Sequence, residues 1–302
     1  IDRFVPTANT GANRWVGSPD TTDDRNQFGI RSDFQLSQSN AILGRYIRSQ
    51  THSVQPAITR PIGADAKATL QDFMLADTHV FSSSAINQAR FSYNRIGATP
   101  QATSGLTNSE FGINLPHNVP SAQGLANIAV TGLFGSGPGA GGLGDVQQPF
   151  VERLNEVLQF TDDFTWIRGD HSLKFGVDVR KEHMFIAFVN RPNGDFTFNG
   201  AFTGNAAAEF LLGLPAQFRR TTANASQDGT GWSYAGYVQD ELRPAANVTL
   251  NLGLRYELAK PFVEANDAIN AFHPGQQSTR FPNAPTGLVY PGDEGVPRGT
   301  YE

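Results

Sequence analysis

Four stretches of the chain alternate apolar and polar residues with a strict period of two. Phe28, Ile30, Ser32, Phe34 and Leu36 alternate with Gly29, Arg31, Asp33 and Gln35, and Ala89, Phe91 and Tyr93 alternate with Gln88, Arg90, Ser92 and Asn94. Leu173, Phe175, Val177 and Val179 stand against Lys174, Gly176, Asp178 and Arg180. The cleanest run sets Val248, Leu250, Leu252, Leu254 and Tyr256 against Thr249, Asn251, Gly253, Arg255 and Glu257. Neighbouring side chains of a strand point to opposite faces, so each run predicts a strand with one apolar and one polar face. The best runs exceed the usual soluble strand of about 5–6 residues and match the roughly 9–11 that a membrane-spanning strand needs.

Extending this reading predicts about ten strands, at 26–36, 41–50, 69–81, 86–97, 154–167, 172–188, 194–203, 216–225, 232–243 and 247–258. Residues 205–214 break the alternation. There Ala206 to Leu212 favours a short helix that Gly213 and Pro215 end. Short polar turns separate some strands, at Ser37–Asn40, Ser82–Ser84, Arg168–His171 and Pro244–Asn247, whereas 51–67, 97–152 and 258–302 read as long loops rich in Gly, Pro, Asn and Ser. Short turns at one rim and long loops at the other are the topology of an outer-membrane barrel. Counting ten strands places the helix on the short-turn side, with Asn193-Gly194 as a tight turn at the outer rim. The expected fold is therefore all-β: an antiparallel meander forming about ten strands of a transmembrane barrel, one domain over 1–302. Two features fit less well. The strand 41–50 alternates poorly, and Asp162 falls on an apolar face unless a β-bulge resets the register.

Composition supports a solvated β surface. Hydrophobic residues are 39% and charged ones 17%, so polarity is carried by Asn, Gln, Ser, Thr and Gly. Exposed helical faces favour Glu and Lys instead. With 22 Phe, 7 Tyr and 3 Trp there is too much to bury for disorder. The formal charge of −5 argues against a nucleic-acid partner. Cys is absent, which removes disulfides and cysteine nucleophiles. No apolar run is long enough for a transmembrane helix, and Ile1-Asp2-Arg3 does not open a signal peptide.

Candidate chemistry is thin. Gly137 to Gly142 matches GxGxxG, but without a following helix it reads as a flexible loop. The six His show no metal-ligand spacing. Asp162-Asp163 and Asp23-Asp24 are adjacent, so in a strand each pair splits between faces and cannot act together as acid and base. No catalytic, cofactor or metal residues are expected. Phe160, Phe164 and Trp166 suit an inner aromatic girdle, with Tyr46 and Tyr256 in the opposite one, or else an ordinary sandwich core. The triplets Asn224-Ala225-Ser226 and Asn247-Val248-Thr249 match the glycosylation rule, which carries no meaning in a bacterial barrel.

Tyr237 to Arg243 followed by Asn247 to Glu257 resembles the paired-strand signature of TonB-dependent outer-membrane receptors, especially the Oar-like receptors common in Acidobacteria. Asp77–Ser82 with Ala89–Arg95, His171–Asp178, Glu209–Pro215 and Val289–Gly299 are similar to further pieces of that family, in its order. The resemblance implies energy-coupled uptake of a large scarce solute across the outer membrane. It also implies an N-terminal carboxypeptidase-regulatory-like β-sandwich, a TonB box, a plug and a 22-strand barrel, and none of the first three is matched in this chain. The chain is therefore expected to be a barrel segment, with outer-membrane lipid as its partner and TonB contacted through N-terminal parts that lie elsewhere. On this reading Arg31, Asp33, Arg90, Asn94, Lys174, Asp178, Arg180, Asn251, Arg255 and Glu257 face a lumen. Phe28, Ile30, Phe34, Leu173, Phe175, Val177, Val179, Val248, Leu250, Leu252 and Leu254 face lipid. The alternatives are a secreted or surface β-protein for adhesion or glycan binding, and a passive pore.

Overall fold

A computed structural model describes residues 7–12, 15–18, 20–56, 63–102, 105–115, 124–135, 142–145, 150–221 and 225–298. In chain order the strands are β1 (Thr22–Ser37), β2 (Asn40–Pro56), β3 (Gly63–Ser82), β4 (Ala85–Ala102), β5 (Asn127–Val130), β6 (Phe150–Arg168) and β7 (His171–Val189). There follow β8 (Asp195–Phe198), helix α1 (Ala206–Leu212), β9 (Gln217–Arg219), β10 (Ala225–Ala245), β11 (Val248–Ala259), β12 (Val263–Glu264), β13 (Ala271–Phe272) and β14 (Leu288–Val289).

One large sheet runs β1-β2-β3-β4-β6-β7-β10-β11, with β12 beside β10. Every pair in it is antiparallel. The expected meander is therefore present. Its strands are longer than the alternation alone suggests: β6 and β7 have 19 residues each and β10 has 21. At roughly 3.4 Å per residue such a strand is about 65 Å long, well beyond the roughly 30 Å hydrocarbon core of a bilayer even when tilted. Four tight turns close the hairpins β1-β2, β3-β4, β6-β7 and β10-β11, at the four short polar turns read from the sequence.

Three expectations are corrected. The large sheet has eight strands on its main path, not ten. The segments 194–203 and 216–225 contribute only β8 and β9, of four and three residues, which pair with each other and with β5 in a separate small sheet. That small sheet includes one parallel pair, β5 with β8. The physical reason is that β7 and β10 pair along their whole length, from Phe188↔Ala225 to His171↔Leu242, so no strand fits between them. Second, α1 forms where expected, capped by the Asn205 side chain accepting from the Ala208 amide and ended by Gly213 in the left-handed region. It follows the outward end of β7, however, and so lies at the rim opposite the short turns. Third, much of 51–67 is not loop: β2 and β3 pair from Thr51↔Ala68 to Pro56↔Gly63. Residues 57–62 lie outside the described set, as do Gly137–Gly141 of the glycine run, His117 and Asn224.

The core is not in the large sheet. Apart from Ala76 and Val189, the last residue of β7, the buried apolar residues lie in the connections, among them Leu106, Leu125, Val130, Leu143, Phe198, Val289 and Val296. Leu106, Leu125 and Leu143 form a cluster that Ile113, Ile128, Phe134 and Phe210 of α1 cover. A soluble sandwich would bury the apolar face of its sheet against another layer. Here that face is open.

Candidate functional site

Registers decide which residues share a face. One row joins Ser32, Gly44, Leu75, Phe91, Phe160, Val179, Tyr234 and Leu258. The row beyond it toward the short turns joins Phe34, Ile42, Asp77, Ala89, Asp162, Val177, Gly236 and Tyr256. All eleven residues read as lipid-facing lie on this one face, and none is fully buried: Leu254 is 71% exposed, Phe28 61% and Val177 48%. A continuous apolar face left uncovered is the kind of patch that marks contact with a membrane or a partner. All ten residues read as lumen-facing lie on the other face, where rows such as Asp33, Leu43, Ala76, Arg90, Thr161, Asp178, Ala235 and Glu257 run across the sheet.

The polar face is laced by side-chain bonds between strands. Arg45 of β2 donates to Asp72 of β3 at 2.8 Å, and Gln159 of β6 donates to both oxygens of Asp178 on β7 at 3.0 Å. Arg180 stands 3.8 Å from Asp178 and 3.7 Å from Glu182, while Arg31 pairs with Asp33 and Arg255 with Glu257 along their own strands. Asp178, Arg180, Arg255 and Glu257 line a shallow pocket of about 250 Å³ with Ser233 and Ala235. Tyr237 lies flat across Gly176 and reaches past it to donate to Asp163 at 2.8 Å. Only a glycine leaves room for that ring. These groups offer charge and hydrogen bonds of both signs. Among the described residues no group of three or more His, Asp or Glu stands together to hold a metal.

Asp162 stays on the apolar face, since β6 and β7 pair without a break from Phe150 to Arg168. Instead of a bulge, a neighbour solves the problem: Asn87 of β4 donates to Asp162 at 2.7 Å. Asp77 likewise accepts from Asn40 at 2.9 Å, and Asp240 pairs with His171 at 2.7 Å. Sequence reasoning missed these pairs because each joins two strands through a register that local alternation does not specify. It missed the buried carboxylates of the connections too. Asp195 holds Arg191 at 3.0 Å, Arg219 at 2.7 Å and Asn127 at 2.9 Å, tying the small sheet together. Burial would raise the Glu209 carboxyl, but the amides of Thr203, Phe202 and Gly200 donate to it and hold it below its ordinary range.

An open antiparallel sheet of such long strands, polar on one face and apolar and uncovered on the other, is the wall of a membrane β-barrel. The chain belongs to the outer membrane beta barrel domain family, whose model matches residues 2–302, and its place is the outer membrane. No curated protein matches it by sequence. It is similar in structure to the ferric-catecholate import receptor Fiu of K12 E. coli, at 12% identity and a TM-score of 0.47. That similarity covers 93% of this chain and 38% of Fiu, so the chain spans well under half the receptor's length.

Proposed function

We propose that this chain is part of the barrel of a TonB-dependent outer-membrane receptor, its apolar face against lipid and its polar face lining the lumen through which a solute passes. The observation that supports this most is the complete separation of the two residue sets by register. A charged Arg or Lys facing lipid at mid-membrane costs about 2–4 kcal/mol, so a face carrying Arg90, Lys174, Arg180 and Arg255 belongs to water. In this reading the remaining strands, the plug and the TonB-contacting segment belong to other parts of the same receptor. Residues 105–115, 124–135, 142–145, 190–221 and 260–298 then sit at the outer rim, where they meet solute first. The Oar-like subtype rests on the sequence resemblance. Among the described residues no second layer packs on the apolar face, and the adhesion alternative would need one.

The chain has no native Cys, so single cysteines report each face cleanly. In outer membranes, Cys at Phe175 or Val177 should resist a water-soluble maleimide and react with a lipid-soluble one. Cys at Lys174 or Asp178 should do the reverse. Equal labelling of both faces would sink the orientation. Uptake that persists under a protonophore would separate a passive pore from energy-coupled transport.

A further inference from the structure

On β6, β7 and β10 the apolar face gives way to charge along one line. Leu158 pairs with Lys181 and Lys181 with Trp232. One row further from the short turns, Arg95, Glu156 and His183 stand side by side. Trp232 and Tyr234 project from β10 on this face with their rings parallel, 6.1 Å apart at an interplanar angle of 7°. The Lys181 ammonium lies 5.8 Å from the Trp232 ring. The backbone amide of Lys260 donates to the Trp232 carbonyl at 2.8 Å, which brings its ammonium to 5.7 Å from the Tyr234 ring. Two cations thus flank one stacked aromatic pair.

Neither lysine makes an ion pair among the described residues. The acids nearest on this face are engaged elsewhere: Glu156 with His183 at 2.9 Å and Arg95 at 3.4 Å, and Asp228 with His183 at 2.8 Å. Contact with an exposed ring holds a cation only weakly and leaves its charge available to an anion. Directly toward the short turns the same face is apolar, with Val179 and Leu258 flanking Tyr234. Aromatic rings mark the bilayer interface in barrels, and long cationic side chains reach from there to the headgroups. We propose that Lys181 and Lys260, with Trp232 and Tyr234 between them, bind the phosphate groups of an outer-leaflet lipid whose acyl chains lie on Val179, Leu258 and the apolar residues below. The proposal rests on the reading that this face meets lipid. The rings are exposed, with apolar side chains directly beneath them, which suits a lipid rather than a free anion.

The test is retention of lipid A by the whole receptor that carries this chain, in phosphatidylcholine nanodiscs, read by native mass spectrometry. Wild type should retain bisphosphorylated lipid A and treat the dephosphorylated form like phosphatidylcholine. The variant K181Q/K260Q should retain about 25-fold less, since one interfacial Lys contributes roughly fivefold to binding an anionic surface. K181R/K260R should restore retention, which separates lost charge from lost folding. Equal retention by K181Q/K260Q, equal retention of dephosphorylated lipid A, or displacement by inorganic phosphate as readily as by lipid A would each overturn the proposal. The maleimide labelling keeps the two readings apart: lipid-protected Phe175 and Val177 without lipid A retention refutes this site alone, whereas water-accessible ones refute the lipid-facing reading itself.

Discussion

At Gly176 a single missing side chain arranges three strands. A Cβ there would stand 2.0 Å from the Tyr237 ring and 2.6 Å from the Asp163 carboxylate. Valine is otherwise favoured in strands. Gly176→Val should nevertheless destabilise the protein by about 1–3 kcal/mol, because Tyr237 must swing away and give up its hydrogen bond. Tyr237→Phe removes only that bond and should cost about 0.5–1.5 kcal/mol. Denaturant midpoints in lipid vesicles distinguish the two. Asp293 shows the same economy in a loop, accepting from the Tyr290, Thr279 and Arg280 amides and from the Ser278 and Thr279 hydroxyls. Burial opposes its ionisation, but these donors outweigh burial and hold the carboxyl well below its ordinary value of 3.8. A depressed carboxyl stabilises above its unfolded pKa and loses that contribution as pH falls through the folded value. Amide protection at Thr279, Arg280 and Tyr290 should therefore stay constant above about pH 5 and fall as the medium drops below the ordinary value. Asp293→Asn should lose it at every pH. Unchanged protection in that variant would refute the role.

Among the strands, the register makes demands that no single element reveals. Asp162 in β6 is tolerable on an apolar face only because β4 presents Asn87 beside it. Asn87→Leu leaves the carboxylate without that donor and should cost more than the double change Asn87→Leu/Asp162→Leu, which removes both partners. A double-mutant cycle that adds to within about 0.5 kcal/mol would show no coupling. The alternation in β1, β4, β7 and β11 is legible because those residues see one environment on each side. In β2 it is poor, and its place between β1 and β3 comes from pairing along 15 and 17 residue positions rather than from its own pattern. The same cause hid the outer half of β10: Gln227, Asp228, Gly229, Thr230 and Gly231 carry no apolar alternation, yet all pair with β7.

For the whole molecule, the large sheet ends in two edge strands, β1 and β11, whose residues are nearly all exposed. In hydrocarbon each unpaired backbone group costs several kcal/mol, and in water a long apolar edge templates aggregation. The 302-residue chain by itself in water is expected to aggregate. A monodisperse monomer that melts cooperatively without detergent, seen by light scattering and calorimetry, would overturn the membrane reading. The sequence alone determined the period-two faces, the four tight turns, the short helix with its stop and hence the membrane-barrel class, because each depends on residues close together in the chain. Only the tertiary structure decided that eight strands form the wall, that α1 sits opposite the short turns, and that β8 and β9 leave the sheet for β5. Those outcomes turn on which strand wins the long edge of β7, and β10, pairing with it over 18 positions, outcompetes segments of four and three residues.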